Sequence, residues 1–433
     1  MRIFKFIAIC CCALVVLVSC DKDEKNDEPK LARRTVLIYM CAENNLDAAG
    51  FFASNLKDIE TGAQSLPNDV NLIVFVDRKS QMETPYIARC SVEGLVKQKV
   101  FDDDFYSVDK ERMKEVMSWV ARNYPAESYG LSLWGHANGW MQASERYVVK
   151  TAGIKMTGQA YGGDSGEDNA GGSDGYKYIN IPELAEVISS SFPRLDFIFF
   201  DCCQGMCAEV AYELRNSCRY LIGSPAEIPG CGAPYVTVVP DFFLEKHSVG
   251  PAIVSHYIEA WRENKNNIGS LGLPLSVVDA DRMNDFAQAT AKAFNTIMSE
   301  CMYPEQLNLK GMIYYYRSDY SANLPCFYDI HGIMQKYLGE EEYREWHDVM
   351  KQTIVFSTYP GDSLQQGLKK WMTTEGISFS SFDITESNYS GLSVFVPQIG
   401  YQFVASSYLN PNTSIFSMSW TNVVDWSKWG WMR

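Results

Sequence analysis

Apolar residues in this chain collect into short, near-continuous runs that end in glycine or polar residues. Five stand out: 35–41 (TVLIYMC), 70–76 (VNLIVFV), 130–134 (GLSLW), 195–200 (LDFIFF) and 220–223. They are rich in β-branched and aromatic residues and do not alternate with polar ones, the pattern of strands buried on both faces of a parallel sheet. Between them lie stretches with helical spacing, at 45–61, 107–123, 181–191 and 208–216. Strand–helix alternation of this kind predicts βαβ units, with helices on both faces of the sheet. Residues 161–175 (YGGDSGEDNAGGSDG) break the alternation and read as an exposed Gly/Asp/Ser loop. Beyond residue 240 the pattern predicts helices at 251–263 and 282–300 and a strand at 390–396.

The one apolar run outside this scheme opens the chain. Residues 1–20 (MRIFKFIAICCCALVVLVSC) combine basic Arg2 and Lys5 with an apolar stretch, as a secretion signal does. Their end, Leu17-Val18-Ser19-Cys20, resembles a bacterial lipobox, which makes Cys20 the expected lipidation site and the new N-terminus. Residues 21–30 (DKDEKNDEPK) are too charged to bury and form a tether extending to 33. The expected organisation is signal peptide 1–20, tether 21–33, core 34–245 and a C-terminal subdomain 246–433 packed on it. The expected location is the cell envelope, as an outer-membrane lipoprotein that can face the exterior.

Charge narrows the partners. The 433 residues carry 38 Lys+Arg against 53 Asp+Glu, a formal charge of −15 that becomes −17 once Arg2 and Lys5 leave with the signal. Such a balance excludes the basic face that nucleic acid requires. Cys10, Cys11 and Cys12 leave too, so nine cysteines remain beyond Cys20; an odd number leaves at least one free thiol. No paired C-x-x-C ligands are present, which argues against structural zinc.

Two of the apolar runs end in reactive side chains. Residues 130–134 lead into Gly135-His136, and 195–200 into Asp201-Cys202-Cys203. In an open parallel sheet, ligands bind at the carboxyl ends of the strands, so two level strand ends can bring an imidazole and a thiol to one rim. Histidine then lowers the thiol pKa and later protonates a leaving amine.

The same residues carry a resemblance. Thr35-Val36-Leu37-Ile38-Tyr39-Met40 with Glu43-Asn44-Asn45-Leu46, then Val74-Phe75-Val76-Asp77-Arg78, are similar to the opening of the clostripain-like cysteine peptidases. Leu133-Trp134-Gly135-His136-Ala137-Asn138-Gly139-Trp140 matches that family's histidine motif, and Phe200-Asp201-Cys202-Cys203 its nucleophile motif; Ser390-Gly391-Leu392-Ser393 is similar to a late segment. The resemblance implies a caspase-like α/β sandwich with a mostly parallel sheet flanked by helices and a C-terminal α+β extension. It implies a lipid-anchored cysteine endopeptidase acting on peptides or proteins, commonly after Arg or Lys. It assigns Cys203 as nucleophile, His136 as base and acid of a dyad, the backbone N–H groups of Cys203 and Ala137 as oxyanion hole, and Asp201 with position 231 as the S1 pocket.

Departures from the family pattern are Ala137 for Gly, Gln204-Gly205 for Leu-Met, and Cys231 where an acid often stands. Loss of that acid weakens the case for a basic P1 residue, because a guanidinium wants paired carboxylate contact. The departures also keep a runner-up open, a non-catalytic binding lipoprotein on the same fold. Self-processing is expected between the two motifs, after Arg146, Lys150, Lys155 or Lys177. No cofactor is required; calcium is a family possibility, but Asp102-Asp103-Asp104 lack the ligand number it needs and read as a solvated turn. Gly163-Asp164-Ser165-Gly166 reads as loop composition. His256 and His347 read as surface or packing residues, and the tryptophans of 420–431 as interior packing.

Overall fold

All five apolar runs become parallel neighbours at the centre of a nine-stranded sheet. The computed structural model describes residues 31–79, 83–141, 160–166, 176–263, 271–301, 303, 306–317, 325–368, 370–371, 382–403 and 410–429. The leader, Cys20 and tether residues 21–30 lie outside them. Residues 32–433 form one compact unit.

In chain order the strands are β1 (Arg34–Ala42), β2 (Val70–Arg78), β3 (Tyr86–Ser91), β4 (Gly94–Val100), β5 (Tyr129–Trp134), β6 (His136–Ala137), β7 (Tyr161–Asp164), β8 (Lys177–Ile179), β9 (Leu195–Asp201), β10 (Cys218–Gly223), β11 (Leu275–Asp279), β12 (Tyr314–Arg317), β13 (Pro325–Asp329), β14 (Ile354–Thr358) and β15 (Ser393–Val394). The large sheet runs β14-β11-β10-β9-β5-β1-β2-β3-β4. Its edges are antiparallel, with β3 and β4 on one side and β11 and β14 on the other. The segment after residue 246 therefore also extends the core sheet. Two three-stranded sheets, β6-β7-β8 and β12-β13-β15, complete the strands.

Strand β1 shows why the central runs are continuous. All nine residues are buried. Leu37, Tyr39 and Cys41 face one core, while Val36, Ile38, Met40 and Ala42 face the other, as a period of two requires. Helices cover both faces. They are α1 (Asn45–Ala48), α2 (Phe51–Ala63), α3 (Lys110–Asn123), α4 (Ile181–Ser191), α5 (Ala208–Leu214), α6 (Tyr235–Asp241) and α7 (Lys246–Glu263). Apolar residues of α3, α4 and α5 enter the first core; those of α2, α6 and α7 enter the second.

Helix α3 follows its sequence closely. Met113, Val116, Met117 and Val120 repeat at helical spacing and are buried, each contributing roughly 1.5–3 kcal/mol of transfer free energy. Asp109 caps it, accepting from the N–H groups of Glu111 and Arg112 at 3.0 and 3.1 Å, and Pro125 follows its end.

Two expectations need correction. The helix expected over 45–61 is broken at Gly50, whose φ of +81° ends α1 and starts α2. The first part of the expected exposed loop is strand β7, and Tyr161 through Gly166 are buried. Glycine there serves close approach: a Cβ on Gly162 would lie 2.1 Å from Val108 Cγ1. Residues 167–175 lie outside the described residues.

Candidate active site

Strands β5 and β9 pair in parallel, and their last register partners are Trp134 and Asp201. The two strands thus end level. His136 stands two residues beyond Trp134, and Cys203 two beyond Asp201. Gly135 takes φ +146°, turning the chain out of β5 into β6. Both His136 and Cys203 line one open cleft of about 240 Å³, with Leu46, Trp134, Asp201 and Glu227 among its other walls. Strand-end placement has brought the imidazole and the thiol to a shared rim.

The vicinal thiols differ in environment. Cys202 is fully buried in the first core, whereas Cys203 is half-buried at the cleft. Gln204, directly after it, adopts a left-handed φ of 49°, a conformation that non-glycine residues hold only when the surroundings impose it. Its N–H donates to the Ala226 carbonyl at 3.0 Å, which helps impose the turn.

Both reactive groups rest neutral. Burial, with the negative charges of Glu227 and Asp201, pushes the Cys203 thiol up to about 12, and its sulfur lies 4.0 Å from the Ile228 carbonyl oxygen. Burial also holds the His136 imidazole below its ordinary value. The ring is not hydrogen-bonded to Cys203. Its Nε2 meets Asn45 Oδ1 at 2.6 Å. With the amide oxygen as acceptor, Nε2 carries the proton and Nδ1 is the free base. Asn44 fixes that partner: its side chain accepts from Leu46 N–H at 2.9 Å and donates to the carbonyls of Cys41 and Gly163 at 2.8 Å.

Asp201 lies deep in the cleft, and burial raises its carboxyl to about 6. It accepts from Ala233 N–H at 3.0 Å, Tyr235 Oη at 2.8 Å and Tyr257 Oη at 3.4 Å. Gly232 crosses close above it with φ +64°; a Cβ there would stand 2.8 Å from Asp201 Oδ2. Cys231 is exposed and is not among the cleft-lining residues, although its neighbours Gly230 and Gly232 are. Ala137 likewise does not line the cleft; it pairs with Tyr161 in the small sheet.

Comparison with known proteins bears on this arrangement. The family model described as the clostripain family matches residues 38–359. The chain belongs to the clostripain family. Clostripain of Hathewaya histolytica is 22% identical over 476 aligned positions, covering 94% of this chain and 82% of that protein. A Bacteroides thetaiotaomicron structure, described as a secreted C11 cysteine protease with an irreversible peptide inhibitor, superposes with a TM-score of 0.69 and 25% identity. It covers 92% of this chain and 99% of its own. A Parabacteroides distasonis structure, described as an inactive zymogen C11 protease, gives 0.68 at 24% identity with the same coverage.

Membership of the clostripain family makes the chain a cysteine endopeptidase with a central mostly parallel sheet, and displaces the binding-lipoprotein alternative. Two cleft residues of this clostripain-family chain had no role in the sequence reading. Asn45 sits in the quoted motif Glu43-Asn44-Asn45-Leu46, but only the fold carries it to His136. Glu227 sits four residues before Cys231, and its acidity in a pocket segment was the available signal. All nine described cysteines are free. Trp420, Trp426 and Trp429 are buried, as expected; Phe294 and Trp426 ring centroids are 4.7 Å apart. His256 pairs with Asp241 at 2.6 Å. Asp102 and Asp103 are exposed, but Asp104 is turned inward with a buried Oδ2. Among the described residues, no helix is long and apolar enough to cross a membrane.

Proposed function

We propose that Cys203 is the nucleophile and His136 the general base and acid of this endopeptidase, working as a neutral dyad. The level ends of β5 and β9 at one cleft carry the reading. As Sγ bonds to the scissile carbonyl carbon, its proton passes to His136 Nδ1 and the carbonyl oxygen becomes an oxyanion. The Cys203 N–H and an N–H just after His136, at Ala137, would hold that charge. Collapse breaks the C–N bond, His136 gives its proton to the leaving amine, and a thioester remains. Water, deprotonated by His136, attacks the thioester, and the thiol is regenerated.

Asp201 at the base of the cleft and Glu227 on its wall favour a Lys or Arg side chain at P1. Glu227 supplies the second carboxylate that Cys231 does not. Self-cleavage fits Arg146, Lys150 or Lys155, which lie outside the described residues. Lys177 fits less well, since it is held in β8 with its Nζ 3.6 Å from the Tyr106 ring centroid. Lipidation at Cys20 would tether the enzyme at the envelope, in keeping with the secreted description of the B. thetaiotaomicron relative.

A mixed peptide library tests the assignment. Cys203→Ala and His136→Ala should each abolish cleavage, while Cys202→Ala retains it. Cleavage surviving Cys203→Ala would end the reading. Loss of radiolabelled lipid in Cys20→Ala tests the anchor.

A further inference from the structure

Helix α2 lies outside the cleft, yet one of its interior side chains is bonded to two of the cleft's walls. Asn55 sits in the second turn of α2 and is 3% exposed. Asparagine is a poor helix former and its amide is costly to bury, so such a position needs polar partners. The amide has two. Its Oδ1 accepts from Trp134 Nε1 at 2.9 Å, and its Nδ2 donates to the Cys231 carbonyl at 2.9 Å. An indole only donates and a carbonyl only accepts, so the orientation of the amide is fixed and both of its ends are used.

The two partners belong to different walls. Trp134 ends β5 and lines the cleft, while Gly230 and Gly232, on either side of Cys231, line it from the segment between β10 and α6. The same helix touches both walls again. Phe52 packs edge-on against Trp134 with ring centroids 6.3 Å apart, and a Cβ on Gly230 would come within 2.7 Å of the Phe51 ring. Three polar groups converge on Gly232: a Cβ there would lie 2.8 Å from Asp201 Oδ2, 3.0 Å from Asn55 Oδ1 and 3.3 Å from Trp134 Nε1. Asn55 thus stands directly behind the place where the indole, the glycine segment and the Asp201 carboxyl meet, and does not itself line the cleft.

We propose that Asn55 is a positioning residue for P1 specificity, setting the width of the S1 pocket by tying the Trp134 indole to the Cys231 carbonyl from behind. The inference rests on the reading of Asp201 and its surroundings as S1. Residues 229–232 belong to no helix or strand, and a pocket discriminates between side chains only where its walls are held. With the tie in place, the spacing of indole and glycine backbone is set before substrate arrives. Without it, the Trp134 N–H loses its acceptor, the Cys231 carbonyl loses this donor, and the walls are free to part. The tie uses only the backbone of residue 231, so it is indifferent to the cysteine standing there.

The test uses the full chain and measures kcat and KM on reporter peptides that differ only at P1, for wild type, Asn55→Leu and Asn55→Asp. Leucine is close to asparagine in size and ends both bonds. Aspartate keeps the acceptor for Trp134 and sets a carboxylate oxygen against the Cys231 carbonyl. For whichever P1 residue the wild type prefers, both variants should raise KM about five- to tenfold with kcat within about twofold, and the preference over the next-best P1 residue should fall by about the same factor. Alkylation of Cys203 by iodoacetamide, which does not occupy S1, should keep its wild-type rate. A preference unchanged in both variants, a fall in kcat with KM unaltered, or alkylation altered in step with cleavage would overturn the proposal, as would a wild type that shows no P1 preference. Cleavage surviving Cys203→Ala, or a wild-type preference for a residue other than Lys or Arg, would instead refute the proposed function, and Asn55 would still be judged on the preference found.

Discussion

The contact between Asn45 and His136 makes a prediction that separates orientation from charge. Removing the amide in Asn45→Ala deletes a 2.6 Å hydrogen bond and releases the ring from a single tautomer. A neutral bond of this kind is worth about 0.5–1.5 kcal/mol, so kcat/KM should fall roughly two- to tenfold. Asn45→Asp keeps the shape and places a carboxylate on Nε2–H. A bond to a charged group contributes about 1.5–3 kcal/mol, and each 1.36 kcal/mol moves a pKa by about one unit. The imidazole, depressed by burial in the native enzyme, should then titrate about one to two units higher. With the neutral ring as the proposed base, the acid limb of kcat/KM should move up in pH by the same amount. The assay is kcat/KM for one reporter peptide between pH 5 and 9, on wild type and both variants. An acid limb unmoved by Asn45→Asp, with His136→Ala inactive, would show that Asn45 does not support the catalytic ring.

Other consequences can be checked alongside. Glu227→Gln should cut kcat/KM for Lys and Arg reporters about five- to tenfold, since Glu227 is half-exposed and its charge is screened, and should leave alkylation of Cys203 intact; peptide-library profiling reads the change. Gly232→Ala forces a Cβ to 2.8 Å from Asp201 Oδ2 at φ +64°, and should lower stability by about 1–3 kcal/mol in denaturant titration and erode activity with it. Asp201 is raised to about 6 by burial, so the folded state holds its proton where the unfolded chain has lost it. Stability should therefore fall as pH rises from about 4 to 6, by about 3 kcal/mol in all. Asp201→Asn should flatten that slope in urea titrations. Asp109→Ala should cost about 1 kcal/mol by removing the α3 cap.

The five central strands were legible because burial on both faces leaves an unbroken apolar run, as the nine buried residues of β1 show. The edges were not. In β4, GLVKQKV is mostly exposed, and its mixed polarity hides a strand. Strand β7 misled for a different reason: glycines at 162 and 163 allow close packing against Val108 and His136, and in sequence they look like slack chain. His136, Cys203 and Asp201 were legible because each follows an apolar run. Asn45 was not, since its place beside His136 is set by the fold and not by any apolar run.

The level ends of β5 and β9 carry one more consequence. The bonds joining Trp134's strand to Asp201's run sideways between backbones, so the span linking them in sequence adds nothing to their alignment. Severing it at Arg146, Lys150 or Lys155 would yield two polypeptides, one bearing the imidazole and the other the sulfur. They would stay zipped along the β5–β9 seam and through the packing of α2 on α6, whose apolar residues share one core. Such an enzyme would run as two bands on a denaturing gel and elute as one particle from a sizing column.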